Sequence, residues 1–235
     1  MNTAKHIGII LDGNRRFAKK LMMQPWKGHD LGADKVRKLL SWIQKIEGIN
    51  EVTLYSFSIQ NFNRPKEEFD YLMKVFIDGF SDLCKPEKLK ELTDNGIKIR
   101  FVGKLSLFPQ ELQEVQQKLA KLTEDNNKYT VNFAMAYGGR EELTDAVKVL
   151  AEEVKSGKLK ITDINEQTIG KHLWLNSEPD LIIRTGGEHR TSNFLPWQST
   201  YSEWFFLEKS WPEFEEADLR AVIDEFSGRE RRFGK

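Results

Sequence analysis

The sequence predicts an α/β fold in which a central parallel β-sheet is flanked by helices. Short apolar runs alternate with helical stretches of about 12–18 residues, the signature of repeated βαβ units. No repeat, low-complexity tract or Pro/Gly/Ser linker divides the 235 residues, so residues 1–235 read as a single domain. A chain of this size buries roughly 70% of its extended surface on folding, enough for one core without disulfides.

The elements follow in order. Residues 6–11 (HIGIIL) form a short buried strand. Residues 30–47 carry Val36, Leu39, Leu40, Ile43 and Ile46 at helical spacing. Residues 51–58 (EVTLYSFS) are a strand, and Pro65 opens a helix to about Leu83, at a position where proline is tolerated. Residues 97–102 are a strand, and Leu112, Val115, Leu119 and Leu122 mark a helix. A strand at 129–135 and a helix at 141–154 come next. Strands at 180–183 and 201–207 and a helix at 214–226 close the chain.

Composition narrows the function classes. Lys+Arg and Asp+Glu both number 36, so the formal net charge is zero and a general nucleic-acid binder is not expected. The single cysteine, Cys84, excludes an intramolecular disulfide and fits a reducing, cytoplasmic compartment. Cys84 reads as a helix-end residue. The first apolar run is too short for a signal segment, and no run approaches the length of a membrane span. The four histidines show no zinc-binding spacing.

In a parallel sheet, ligands bind beyond the carboxyl ends of the strands, which directs attention to Asp12, Ser58, Ala136 and Arg184. Residues 11–20 read LDGNRRFAKK. Asp-Gly alone suggests a hairpin turn, but a helix start follows it. Arg15 and Arg16 oppose the dipole of that helix, and a bound polyphosphate would explain them. Asp12 fits a phosphate site if a divalent metal bridges the two. Residues 57–65 (FSIQNFNRP) are a polar loop, read either as capping by Asn63 or as a cleft mouth presenting Ser58, Asn61 and Arg64. Residues 183–194 (IRTGGEHRTSNF) set Arg184 and Arg190 around a glycine pair, suited to phosphate. Glu203 is an acid within an aromatic strand, where a partner or metal is expected. The helix at 68–83 is apolar over more than one stripe, either because neighbours bury it or because it walls a ligand tunnel. Two cation clusters, two acids and an apolar cavity suggest joining two phosphorylated, apolar substrates.

The segments HIGIILDGNRRFAKK, LYSFSIQNFNRP, NFAMAYGGR and DLIIRTGGEHRTSNFLPWQSTYSEWFF resemble the cis-prenyltransferase, or undecaprenyl diphosphate synthase, family over nearly the whole chain. The resemblance implies a parallel sheet wrapped by helices around a hydrophobic tunnel. It implies condensation of isopentenyl diphosphate onto an allylic prenyl diphosphate, farnesyl or geranylgeranyl, with Mg²⁺ in a homodimer. It makes Asp12 and Glu203 the Mg²⁺-linked acids. Gly13, Asn14, Arg15, Arg16 and His29 match the allylic diphosphate loop, with Phe17 and Phe62 as nearby aromatics. Ser58, Ile59, Gln60, Asn61 and Arg64 match the substrate-orienting loop, with Asn61 at the proton-acceptor position. Arg184, Arg190, Thr191 and Ser192 match the isopentenyl diphosphate site. Arg232 and Gly234 match a C-terminal Arg-x-Gly that crosses the dimer. A polyprenyl product implies a glycan-carrier lipid and peripheral membrane contact for its release. Two departures stand out. Arg15 replaces a glycine common in the family, and Pro25 stands where many members have an arginine, with Lys27 as its expected substitute. Rival expectations are a short-chain synthase and a non-catalytic subunit of a heteromeric enzyme.

Overall fold

The computed structural model describes residues 3–229. Six strands form one sheet: β1 (His6–Ile10), β2 (Glu51–Ser58), β3 (Ile97–Val102), β4 (Tyr129–Tyr137), β5 (Leu181–Arg184) and β6 (Glu203–Phe206). Their spatial order is β3-β4-β2-β1-β5-β6, and every pairing is parallel. The expected fold class is the one observed.

The helices are α1 (Asn14–Lys20), α2 (Gly28–Ile43), α3 (Lys66–Leu83), α4 (Pro86–Asp94), α5 (Gln110–Leu122), α6 (Gly139–Lys155), α7 (Glu166–Lys171) and α8 (Glu216–Gly228). Pro65 caps α3 at its start and Cys84 at its end, as the sequence indicated. The helix α2 begins two residues before Asp30 and stops at Ile43, with Lys45 and Ile46 continuing it only as turns.

The central strands are buried on both faces, as helices on both sides of a parallel sheet require. One large core joins Ile7, Ile9, Leu54, Ile99, Val131 and Phe205 to the helices. A smaller cluster gathers Tyr55, Tyr137, Phe194 and Leu195. Its rings interlock, with Tyr55 stacked on Phe194 at 4.7 Å between centroids.

From β1 the chain crosses to β2 on one side, and from β5 it crosses to β6 on the other. The carboxyl ends of β1 and β5 therefore splay into a switch-point crevice, where α/β sheets bind ligands. Asp12 leaves β1 and Arg184 ends β5 at this crevice. Among the described residues no helix is long and apolar enough to cross a membrane.

Candidate active site

A cavity of about 860 Å³ opens over the carboxyl ends of the strands. Asp12, Gly13, Asn14, Arg15 and Arg16 line its mouth with His29, Arg64, Arg184, Arg190 and Ser192. Its inner wall is apolar: Val36 from α2, Phe133 from β4, and Leu72, Val75, Phe76, Phe80 and Leu83 from α3. The broad apolar surface of α3 is thus a cavity wall as well as a core contact.

Local sequence sets this geometry. Gly13 has φ 101°, and a Cβ there would lie 2.7 Å from Ser210 Cβ, so only glycine lets the chain turn from β1 into α1. Gly28 passes so close that a Cβ would strike the Asn14 carbonyl oxygen at 2.1 Å, which brings α2 down onto α1. Thr185 Oγ1 donates to the Asp12 carbonyl (2.8 Å) and Trp211 N–H donates to the same oxygen (2.9 Å), fixing the Asp12 backbone from two other elements.

The charged groups are already paired. Arg184 is 3% exposed; its Nη2 donates to Asp12 Oδ2 at 2.8 Å and its Nη1 to Ser192 Oγ at 2.8 Å and to the Arg190 carbonyl. Its Nε is buried and has no partner. Asp12 Oδ1 accepts from Gly13 N–H at 2.7 Å and faces Arg16 Nη2 at 3.2 Å. Burial pushes the Asp12 carboxyl up, but the hydrogen bonds from Arg184 and Gly13 and the charges of Arg184 and Arg16 outweigh it, holding Asp12 below the usual carboxylate range. Glu188 bridges Arg16 and Arg190.

A second charged knot holds the other side of the mouth. Glu68, in the first turn of α3, contacts Arg64, with His29 Nε2 and Arg15 Nε each at 3.7 Å. Arg64 Nη1 also lies 3.3 Å from His29 Nε2. Burial, then the charge of Arg64, pushes His29 down to about 4 against the opposing pull of Glu68. His29 is therefore neutral at pH 7. The loop itself is pinned by a capping box in which Ser58 N–H donates to Asn61 Oδ1 at 2.9 Å. Ser58 is the N-cap of this turn and Asn61 its third residue, whereas α3 starts from Pro65 with no side-chain cap from Asn63.

The family model described as "Putative undecaprenyl diphosphate synthase" matches residues 10–234. The chain is 43% identical over 98% of its length to a geranylgeranyl-diphosphate-specific tritrans,polycis-undecaprenyl-diphosphate synthase of Pyrococcus furiosus, covering 87% of that protein. A relative of the same name from Methanocaldococcus jannaschii is 44% identical over all of this chain and 84% of its own. The chain belongs to the cis-prenyltransferase family. Among solved structures, lavandulyl diphosphate synthase of Lavandula x intermedia, in complex with dimethylallyl diphosphate, superposes with a TM-score of 0.93 at 36% identity over 99% of both chains. A probable undecaprenyl diphosphate synthase of Campylobacter jejuni gives 0.79 at 31% over all of both chains.

The prenyltransferase places its sequence-indicated residues unevenly. Ser58, Gln60, Asn61 and Arg64 line the cavity, but Ile59 does not. Phe17 lies about 100° around α1 from Arg16 and is not a lining residue. Phe62 packs behind the loop on Phe57, Phe69 and Phe108, with centroids 5.0–5.7 Å apart, and anchors the loop rather than facing the cavity. Thr191 is exposed beside the lining residues Arg190 and Ser192. Lys27, the expected substitute for the arginine missing at Pro25, is not among the cavity-lining residues. Its Nζ donates to Tyr71 Oη at 3.1 Å and stacks over that ring, outside the cavity lining.

Glu203 requires a correction. It pairs in register with Leu181 at the amino end of β5, three residues before Arg184, so it sits at the opposite end of the sheet from Asp12. Its carboxylate binds Arg229 Nη1 at 2.6 Å. The two acids cannot share one ion within one chain. Arg232 and Gly234 lie outside the described residues.

The prenyltransferase has site residues that sequence reasoning passed over. Glu68 reads as an ordinary acid in a helix's first turn, and only its spacing four residues after Arg64 hinted at a pair. Lys19, Arg37, Glu188 and Asn193 also line the cavity.

The fit of a divalent ion rests on Asp12. Mg²⁺ is commonly held by one or two carboxylates together with substrate phosphates and water. Asp12 is ionised, lines the cavity and stands between two arginines, so it suits an ion shared with a diphosphate. Among the described residues no group of three or more His, Cys, Asp or Glu could hold a metal alone.

Proposed function

We propose that residues 1–235 form one catalytic domain that condenses isopentenyl diphosphate repeatedly onto geranylgeranyl diphosphate, forming Z double bonds. The product of this reading is a polyprenyl diphosphate of undecaprenyl type, precursor of a glycan-carrier lipid. One observation carries the proposal: a single cavity with a paired-arginine mouth and an apolar wall running along α3 from Leu72 to Leu83. At 1.5 Å per residue that wall is about 16 Å long. The names of the 43–44% identical relatives support the geranylgeranyl primer.

In this mechanism Arg15, Arg16, Arg64, His29 and the Gly13-Asn14 backbone hold the allylic diphosphate. Arg184, Arg190 and Ser192 hold isopentenyl diphosphate. Mg²⁺, held by Asp12 and a diphosphate, would supply charge neutralisation as the allylic C–O bond breaks. The arginines stabilise the same growing charge from fixed positions, and two substrates held side by side gain the advantage of proximity. Asn61 keeps the loop closed through Ser58; its amide orients the isopentenyl group, and a diphosphate oxygen is the stronger base for the proton. The apolar wall keeps water from a carbocation-like centre. The chain works as a homodimer in this reading, with Arg232 and Gly234 serving the second protomer, and touches a membrane when its lipid product leaves.

The short-chain reading draws on one observation, the 0.93 superposition on lavandulyl diphosphate synthase. Mass spectrometry of dephosphorylated products decides, using purified protein, isopentenyl diphosphate, Mg²⁺ and each allylic primer in turn, beside Asp12→Ala. Undecaprenyl-length chains from geranylgeranyl diphosphate, absent with Asp12→Ala, are expected. Products only one or two units longer than the primer would establish the short-chain reading. No product from any primer would point to a missing catalytic subunit. Sedimentation velocity at dimer mass checks the assembly.

A further inference from the structure

Between α1 and the turn at Pro25–Lys27 stand three consecutive apolar side chains. Leu21, Met22 and Met23 are exposed by 51%, 97% and 39%. Single exposed apolar residues are normal, but a contiguous exposed group marks an interaction site. Met22 also has φ 55°, a conformation uncommon for a residue with a side chain. Hydrogen bonds from Met22 N–H to the Lys19 carbonyl (3.0 Å) and from Met23 N–H to the Ala18 carbonyl (2.9 Å) hold the turn. The turn therefore presents Met22 outward and covers none of it.

The tip is flanked in sequence by cations, of which Arg15, Arg16 and Lys20 also face Glu68, Asp12 with Glu188, and Glu213, respectively. Arg15, Arg16, Lys19, Lys20 and Lys27 fall within residues 15–27, which contain no carboxylate, in a chain whose formal charges cancel. Lys20 keeps 64% of its side chain exposed even with Glu213 at 3.4 Å. Half-buried Trp26 sits beside the tip, the amphipathic ring type found at bilayer interfaces. Lys19, Arg15 and Arg16 continue from the tip into the cavity mouth.

We propose that this tip docks the enzyme on an anionic lipid surface, with the cavity mouth turned toward the bilayer. The need for docking rests on the reading that the product is a polyprenyl lipid. The choice of partner rests on charge and shape. A second copy would set the same cations against one another. A bilayer with acidic headgroups complements them, and it receives flexible apolar side chains without needing a matching groove.

Flotation of the full chain with vesicles tests the proposal. One set is neutral phosphatidylcholine, the other the same lipid mixed with phosphatidylglycerol. The wild type is expected on the anionic vesicles, with binding weakened by added salt. The variant carrying Leu21→Ser, Met22→Ser and Met23→Ser is expected to bind at least tenfold less, with unchanged Tm and unchanged rate of the first prenyl addition in detergent solution. Equal binding by variant and wild type, equal binding to neutral vesicles, or no binding by the wild type would each overturn it. So would a smaller assembly for the variant in vesicle-free sedimentation, which would make a second copy the occupant. The detergent assay separates the two readings: an inactive wild type refutes prenyl transfer, whereas flotation alone decides the docking tip.

Discussion

Glu68 is the residue whose removal should disturb the site most without touching a reacting atom. Its side chain is 3% exposed and it faces Arg64, His29 and Arg15. Removing one partner of a buried ion pair costs about 3–5 kcal/mol, because the other charge is left unpaired. Arg64 retains 21% and Arg15 50% of its side-chain exposure, so water recovers part of that loss. We expect about 2–3 kcal/mol for Glu68→Ala. At about 2–4 °C per kcal/mol for a chain of this size, Tm falls by roughly 4–12 °C. Glu68→Gln keeps the shape and one oxygen acceptor for Arg64, so it loses about 1 kcal/mol. Positioning has its own signature. With Arg64 and His29 unheld, KM for the allylic diphosphate rises about tenfold in Glu68→Ala, equivalent to about 1.4 kcal/mol, and Glu68→Gln recovers most of it. Thermal denaturation and steady-state kinetics check both. An unchanged Tm together with an unchanged allylic KM in Glu68→Ala would refute the reasoning.

Gly79 lies inside α3 and lines the cavity, and a Cβ there would meet nothing within 4 Å. Gly79→Ala is expected to add about 0.5–1 kcal/mol of stability through helix propensity, and Gly79→Leu to shorten the product distribution seen by mass spectrometry; unchanged lengths would place the growing chain elsewhere. His29 supplies a pH dependence. Its folded value of about 4 lies below the ordinary 6.5, so the unfolded chain binds more protons between these pH values. The stability it gives is full above pH 6.5 and is lost as pH falls toward 4, amounting to about 2 kcal/mol by pH 5. Urea unfolding at pH 7 and pH 5 measures it, and His29→Gln should flatten the difference.

What the sequence disclosed depended on whether the signal was local. The ranges of β2 and β3 matched at both ends because turn residues bound each apolar run. The helix α3 announced itself through Pro65 and a long apolar surface. The helix α4 carries little sequence signal because, after Pro86, it offers only Leu89 and Leu92 among mostly charged residues. The charged loops were legible because arginines, glycines and an aspartate follow strand ends, where a parallel sheet binds ligands. Side-chain direction was not legible. Phe62 reads as a substrate contact in the string FNRP, and only the packed rings of Phe57, Phe69 and Phe108 show that it faces inward. Glu203 looked like a partner for Asp12 because strand register is a long-range property, set by the β5–β6 pairing and absent from the local sequence.

The acids in the site differ in how readily they can be exchanged for a diphosphate. Asp12 holds Arg184, whose side chain is 4% exposed, and that pair is set by hydrogen bonds from Arg184 to Ser192 and from Thr185 and Trp211 to the Asp12 carbonyl. Glu188 holds Arg16 and Arg190, whose side chains are 47% and 59% exposed. Exposed pairs contribute about 0–1 kcal/mol, so an arriving diphosphate can displace Glu188 at little cost. In the proposed mechanism Glu188 is then a stand-in for phosphate, keeping the two arginines in place on either side of the mouth until substrate comes. Glu188→Gln removes the competing charge while keeping the hydrogen-bonding shape. It should lower KM for a diphosphate substrate by up to about fivefold, the equivalent of about 1 kcal/mol, and leave kcat unraised. A variant with raised KM or abolished turnover would instead make Glu188 a group that the bound diphosphate or its metal requires. The displacement argument would then fail, because an acid that substrate must keep cannot be one that substrate replaces.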